Sequence, residues 1–528
     1  MVPHVRTTRT SSGADAVQIV WKKHQGLRDI QHVGSAHTGD ELEELKAEAW
    51  RIIAAGQGEL DLALLGHDGL YPVIGSKAVR LWDALVAAYA ALGFDVAVPD
   101  PVFAHLVFAR IVEPTSKLDS IRVLAELGIK TASYSTIKRR LVDCVAQDWR
   151  GLIQDACLTH ALGESDLRFC LYDVTTLHWE TQQGDGFREP GFNKQRHLEP
   201  QCLVGLLTTK EGFPLHVTAF HGKEAETNTI VPVLKAFRQA NNVEGLTVVA
   251  DAGMMSQDNV LALLGAGFSV IVGYPIPREP FVVKRWRQKH PGQGVKDGQV
   301  FCQPINIGVK GKPVWCVIYY QYRAKRARRD LASIKKTWDK AEAQVKAGSS
   351  RVQKNRFIKL EEGQYALNEA LRQDAEARAG YRAYFTDRLY AGELEDHVND
   401  LAKGGAYKRR ETNRLRRSAS EVIAAYHDLW HVEHAFRCSK NDLAARPAFH
   451  HVRDSIEAHL TIVLAALAVS KWIETVSGVS LRRFLHLLKP IRRVELEVNG
   501  RTICGEPPLS EAVLELIATI KQAAGALG

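Results

Sequence analysis

The chain has 528 residues, which at about 150 residues per domain allows roughly three or four domains. Apolar residues make up 45% and charged ones 24%, so disorder is excluded as a description of the whole chain. The net charge of +9 favours a polyanionic partner such as nucleic acid. No two of the eight cysteines stand in a C-x-x-C spacing, which excludes a zinc ribbon or a thioredoxin-type motif. Sparse cysteines in a long chain suggest a reducing cytoplasm. Met1 to Thr10 shows no apolar signal segment. The longest nearly apolar run, Leu460 to Val469, is about half of what spans a bilayer. A soluble, cytoplasmic protein with no membrane partner is expected.

In chain order, Ala16 to Trp21 alternates like a strand, with Ile30 to Gly34 as its partner. Asp40 opens a helix with Leu42, Leu45, Ala49 and Ile52 at helical spacing. Gly56 to Pro72 reads as a linker. Four helices are predicted next, near Ala78–Leu92, Pro101–Val112, Lys117–Leu127 and Thr136–Ala146. The turn Thr131 to Ser135 before a basic helix start makes a helix-turn-helix candidate, with an ordinary helical bundle as the alternative. The pattern changes at Leu167. Strands are predicted at Arg168–Leu177, Gln201–Thr209, Leu215–Phe220, Leu246–Ala250 and Phe268–Tyr274. Helices at Asn228–Asn241 and Gln257–Leu264 interleave the last three. The order β-β-β-α-β-α-β predicts an α/β fold, a mixed sheet flanked by helices.

From Pro275 to Gly404 that regularity is lost. Strand-like pieces stand at Gln299–Ile307, Val314–Tyr320 and Gly380–Thr386, around a charged helical stretch from Arg326 to Ala379. The block reads as an insertion domain interrupting the sheet. After Ser418 the chain reads as helical, with one helix over Ser420–Lys440 and another over Arg453–Glu474. The expected division is 1–70, a β-hairpin plus helix module; 71–165, a mostly helical DNA-binding region; 166–274, the first part of the core; 275–404, the insertion; 405–475, the second part of the core; and 476–528, a helical tail.

Three acidic residues stand out. Asp173 lies among apolar strand residues, where a carboxylate is costly without a partner. Asp251 ends the fourth strand, at the edge where α/β sheets place ligands. Either aspartate alone has a structural reading, Asp251 as the cap of the next helix. Tyr426, Glu433 and Lys440 are spaced by seven, nearly two turns, and so share a helix face with Leu429 and Phe436. A carboxylate on a packed stripe calls for a partner; the alternative is an ion pair with Lys440 or Arg437. Two carboxylates on adjacent strands and one on a facing helix can hold two Mg²⁺ ions. Such a pair activates water or a 3′-hydroxyl for in-line attack on a phosphodiester.

Asp173, Asp251 and Glu433 in this order resemble the DDE set of RNase H-like transposases. Tyr426-x-x-Leu429-x-x-x-Glu433-x-x-x-x-x-x-Lys440 resembles the Y-(2)-R-(3)-E-(6)-K signature of one branch of bacterial insertion-sequence transposases. That branch carries a large, partly β insertion before the Glu, and here 182 residues separate Asp251 from Glu433. Asp173-Val-Thr175 is similar to the D-x-T of the branch. Leu443 to Pro447, with His450 after it, also looks like members of the branch. The resemblance covers roughly Lys77 to Thr475. One departure is that the signature arginine is Leu429 here, so Arg437 or another base must replace it.

The resemblance implies an RNase H-like core, with Asp173, Asp251 and Glu433 as catalytic metal ligands for Mg²⁺, for which Mn²⁺ can substitute. It implies a DNA transposase that binds the terminal inverted repeats of its element. The enzyme would cleave those ends and join 3′-OH ends to target DNA. A homodimer on paired ends is implied, acting in a bacterial cytoplasm on nucleoid DNA. Tyr426 and Lys440 would contact phosphate near the cut. Basic runs extend the surface: Arg323 to Arg329, and Lys403 to Arg417, which includes Arg409, Arg410, Arg416 and Arg417 and leads into the Glu helix. The alternative for any such run is a solvated face. Trp286, Trp315 and Trp338 are either core residues or, one of them, a base-stacking platform. No H-E-x-x-H, G-x-S-x-G, Walker A or G-x-G-x-x-G pattern occurs. Two rivals remain: a DNA-binding derivative that does not cut, and a metal-dependent nuclease or resolvase on the same fold.

Overall fold

The computed structural model describes residues 4–9, 15–22, 28–36, parts of 41–53, 73–164, 167–178, 187–190, 200–241, 245–254, 256–308, 312–347, 355–361, 364–387, 419–443, 453–498 and 501–525. The chain divides into two compact units: residues 1–91, 121–131 and 473–528, and residues 92–120 and 132–472. The expected linker over Gly56 to Pro72 and the basic run over Lys403 to Arg417 lie outside the described residues.

The first unit holds two small sheets. One is an antiparallel meander of His4–Arg9, Asp15–Lys22 and Arg28–Ala36. Val17 and Ile19, two residues apart and so on one face, pack with Ala49 and Ile53. His4–Arg9 is a strand that its polar sequence does not announce; pairing with Asp15–Lys22 defines it. The second sheet joins distant segments. Val73–Lys77 pairs antiparallel with Arg493–Val498, which pairs with Arg501–Gly505. The tail over 476–528 is therefore not wholly helical. Val494, Leu496 and Val498 alternate with charged residues at the period of a strand. Lys77 pairs with Glu495 at 2.6 Å, and Arg80 with Glu506 at 2.8 Å.

In the second unit, Pro101–Val112 is capped by Asp100, whose carboxylate accepts from Phe103 N at 2.8 Å. Tyr134–Ala146 and Trp149–Glu164 pack with it, burying Phe103, Ile137, Leu141 and Ile153. The helix Ser120–Glu126 belongs almost wholly to the first unit, whereas Tyr134–Ala146 belongs to the second. The basic helix spends its apolar face on the bundle, and its Arg140 pairs with Asp100 at 3.0 Å.

The second unit is dominated by a mixed sheet of nine strands. They are β1 (Phe169–His178), β2 (Glu189–Pro190), β3 (Pro200–Thr209), β4 (Pro214–Phe220), β5 (Thr247–Ala250), β6 (Ser269–Tyr274), β7 (Val300–Asn306), β8 (Trp315–Tyr322) and β9 (Tyr381–Thr386). Neighbours run β7-β8-β9-β6-β5-β1-β3-β2, and β4 pairs with β3. β1, β5 and β6 are parallel, and the other pairings are antiparallel. β3, β5 and most of β6 are buried throughout, the pattern of strands covered on both faces. Among the described residues the order predicted from Leu167 to Tyr274 is found, with β2 added. After Pro275, β7, β8 and β9 extend the same sheet beyond β6, while Ile358–Glu361 and Gln364–Leu367 form a two-stranded sheet of their own among the described residues. Outside the sheet, that interval builds a satellite core. Trp338 packs edge-on to Phe357 at 5.7 Å between the helices Ala324–Lys346 and Glu369–Arg378. Trp338 is thus a core residue, not a stacking platform.

The helix Arg453–Ser477, which contains Leu460 to Val469, is the one among the described residues long and apolar enough to cross a membrane. It is mostly buried within the protein. The eight cysteines are free thiols.

His216 on β4 stands edge-on to Phe237 at 6.2 Å and hydrogen-bonds Thr218 at 2.8 Å. Burial, with Arg150 nearby, pushes its pKa down from 6.5 to about 4. Above pH 6.5 the imidazole is neutral in both folded and unfolded chains and contributes nothing. Between pH 6.5 and 4 the unfolded chain takes up a proton that the folded one refuses, so stability falls as pH falls. The loss reaches about 3 kcal/mol. His216→Leu should flatten the fall in urea midpoint between pH 7 and pH 4.5; equal slopes in both proteins would refute this.

Candidate active site

The parallel register of β1 and β5 sets Tyr172 opposite Ala250. The next residue on each chain segment is an aspartate. Asp173 and Asp251 therefore stand at one level on neighbouring segments, whose spacing is about 4.8 Å, and leave the same face. The register of β5 and β6 pairs Ala250 with Val272, so the same level on β6 is Gly273. β6 pairs Gly273 with Tyr384 on β9. One row across four segments thus reads Asp173, Asp251, Gly273, Tyr384. Thr175, two residues beyond Asp173, shares its face.

Two short helices lie over this face: α1 (Ala419–His427), against β5, β6 and β9, and α2 (Trp430–Arg437), against β1 and β3. This corrects the single helix expected over Ser420–Lys440. Between them, Leu429 N bonds Tyr426 O at 3.2 Å and His431 N bonds Asp428 O at 2.9 Å, both three residues back. Beyond α2 the ladder widens into a π turn over Cys438–Asp442. Residues spaced by seven consequently meet different surroundings. Tyr426 is buried, Glu433 is exposed and Lys440 is half-buried. The packed stripe of α2 is Val432, Ala435 and Phe436, so Glu433 is not a buried carboxylate in need of a partner.

Asp251 is exposed, and its Oδ1 accepts from Ala252 N at 2.8 Å and from the Tyr426 hydroxyl at 2.9 Å. Burial first, and then the adjacent Asp251 carboxylate, raise the Tyr426 phenol well above its usual range, so it stays a donor. Its ring stands edge-on to Tyr384 at 5.1 Å, and the Arg382 guanidinium lies over it at 5.3 Å. Half-buried Asp173 accepts at Oδ1 from Val174 N at 2.8 Å. The Lys440 ammonium donates to Thr175 Oγ1 and sits 5.7 Å over the Phe436 ring. The threonine of the D-x-T and the terminal lysine of the signature thus meet. Arg437 is exposed at the end of α2. Arg409, Arg410, Arg416 and Arg417 lie outside the described residues, as do Pro447 and His450.

Asp173 and Asp251 supply the hard oxygen donors that Mg²⁺ prefers, and Mg²⁺ keeps several waters when one or two carboxylates bind it. Oδ2 of Asp251 has no hydrogen bond among the described residues, and the side chain faces solvent. The pair fits a divalent hard cation. Among the described residues no three His, Cys, Asp or Glu side chains form a ready cage, so Glu433 is not gathered with the two aspartates.

Two residues at this site escaped the sequence. Arg382 is an exposed cation against Tyr426, but a lone arginine on a return strand carries no signal. Trp430 is 55% exposed, its ring tilted against His431 at 3.7 Å between centroids, one turn before Glu433. An aromatic beside a candidate carboxylate is a signal that could have found it. Burial lowers the pKa of His431, which favours its neutral ring.

A family model described as a transposase DDE domain matches residues 164–469, more than half of the chain. No curated protein matches. Among solved structures, the chain is similar to one titled as a cryo-EM structure of the piggyBac transposase synaptic complex with hairpin DNA. The identity is 10% and the TM-score 0.35, over 78% of this chain and 70% of that one.

Leu429, where the signature has arginine, is buried at 8% exposure. The position points into packing and has no room for a solvated phosphate contact. Leu429→Arg should therefore destabilise the protein by about 3 kcal/mol, the scale of an unpaired buried charge, and should not tighten DNA binding. Urea unfolding and a DNA titration check both; an unchanged midpoint with tighter binding would overturn this placement.

Proposed function

The chain belongs to the transposase DDE-domain family, and from this premise we propose that Asp173, Asp251 and Glu433 form its catalytic carboxylate set on an RNase H-like core. The observation that carries the reading is the register that sets Asp173 and Asp251 side by side, just past the last paired residues of the parallel β1–β5 ladder. The core reading is supported by the neighbour order β4-β3-β1-β5-β6, in which the first three strands are antiparallel and the last two parallel. Glu433 lies on the helix packed against β1, from which it reaches the same end of the sheet when DNA and cation draw the carboxylates together.

The substrate is double-stranded DNA: the terminal inverted repeats of a bacterial insertion sequence, and then target DNA. Asp173 and Asp251 hold Mg²⁺, or Mn²⁺ in its place, and Glu433 completes the set. When bound, the cation polarises the scissile phosphate and activates water or a 3′-hydroxyl for in-line attack. The chain's own residues position the DNA. Lys440, tethered to Thr175 two residues from Asp173, places a point charge at the phosphate beside the cut. Arg382 and Arg437 offer exposed cations on either side, and Arg382 takes over for the arginine that Leu429 replaces. Trp430 offers an aromatic face to a sugar or base. The run containing Arg409, Arg410, Arg416 and Arg417 adds backbone contacts that weaken with salt. Two ends are paired by a homodimer, in the cytoplasm on nucleoid DNA.

The test uses the DNA of the protein's own locus, with and without Mg²⁺. Wild-type protein should cut at two inverted ends and join the 3′-ends to a target. Asp173→Asn and Asp251→Ala should each lower cleavage by at least about a thousandfold, the scale on which removing an essential catalytic group acts. End binding in a gel-shift assay should survive. Retained cleavage would overturn the assignment. Cutting without joining would favour a nuclease or resolvase, and binding without cutting a DNA-binding derivative.

A further inference from the structure

Tyr426 holds a hydroxyl with a single hydrogen to give, and that hydrogen goes to Asp251. While the bond is made, the phenol cannot also donate to a DNA phosphate. We propose that Tyr426 is a positioning residue for Asp251. It pins the carboxylate through Oδ1 so that Oδ2 is the oxygen presented to the divalent cation. The inference rests on the metal-site reading above and adds a role to a residue otherwise assigned to phosphate.

Three features carry it. First, two donors converge on one oxygen. Ala252 N and the Tyr426 hydroxyl reach Oδ1 at 2.8 and 2.9 Å, and no donor among the described residues reaches Oδ2. The two oxygens of the carboxylate are thereby made inequivalent. A donor to a ligating carboxylate fixes its rotation, as outer-layer hydrogen bonds do for metal ligands generally.

Second, the phenol is held. Its ring is buried at 6% exposure, lies edge-on to Tyr384 and carries Arg382 on its face. These contacts fix the ring plane, so the hydroxyl cannot swing toward solvent without unpacking α1 from the sheet.

Third, the sheet leaves a gap for it. A Cβ on Gly273 would lie 2.5 Å from the Tyr426 hydroxyl oxygen and 3.1 Å from its ring carbon Cζ. Gly273 sits at the level of Asp251 on the adjacent strand. A side chain there would push the phenol off the carboxylate. The missing side chain and the hydroxyl are two halves of one device.

The experiment is Mn²⁺ titration of the full chain without DNA, followed by the EPR signal of free Mn²⁺, with thermal unfolding as the control for fold. Tyr426→Phe deletes only the hydroxyl and keeps the ring against Tyr384 and Arg382. It should weaken Mn²⁺ binding about 10-fold, with the unfolding midpoint little changed. Gly273→Ala changes neither partner and should weaken binding in the same direction. The double variant should be no weaker than the worse single one, because both act on one contact. Asp251→Asn separates the layers of the argument. If it binds Mn²⁺ as wild type does, the metal-site reading fails and this inference with it. If Asp251→Asn loses Mn²⁺ while Tyr426→Phe binds normally, the metal site stands and the positioning role is overturned. Tyr426→Phe protein that binds Mn²⁺ normally but holds DNA more weakly would return the hydroxyl to phosphate.

Discussion

The site depends on one constraint, the parallel register that joins β1, β5 and β6. A parallel ladder fixes which residues share a level, and a slip by one residue would turn each side chain to the opposite face. Here the level just past the last paired residues carries Asp173, Asp251 and Gly273. Two carboxylates side by side repel unless something positive or hydrogen-bonding comes between them. Val174 N donates to Asp173, and Ala252 N with the Tyr426 hydroxyl donates to Asp251. Nearby, Lys440 stands on Thr175 and Arg382 on the Tyr426 ring.

Much of this is legible in the sequence. The strands from Leu167 to Tyr274 announce themselves because a sheet covered on both faces needs unbroken apolar runs, and Leu246 to Ala250 is one. Asp173 and Asp251 stand out because each interrupts or ends such a run. The rest was hidden for physical reasons. β9 pairs with β6 although more than a hundred residues lie between them, and no local period reports a distant partner. Strands β7, β8 and β9 therefore read as an inserted block when they extend the same sheet. In the tail, the alternation at Val494, Leu496 and Val498 was visible, but its partner Val73–Lys77 lies at the other end of the chain.

The Glu helix shows a different limit. Its seven-residue spacing is real, but spacing places residues on a common face only while the helix stays regular. Two bonds reaching back three residues from Leu429 N and His431 N, and a π turn after Arg437, change the phase twice. Neither irregularity has a composition signature; no proline or glycine marks them. The outcome is a division of labour that a uniform helix could not provide. Tyr426 goes inward to a carboxylate, Glu433 stays in solvent, and Lys440 bends back to Thr175.

The departure at Leu429 fits the same geometry. Position 429 falls in the tightened turn between α1 and α2, where its side chain fills the packing. A positive charge near Tyr426 is still present, but it comes from β9 through Arg382 rather than from the helix. A guanidinium over an aromatic face is held by the ring's quadrupole and keeps its outer edge for other partners. The motif in sequence and the charge in space are therefore separable. The cation beside the phenol comes from a strand distant in the sequence, once the sheet has brought β9 next to β6.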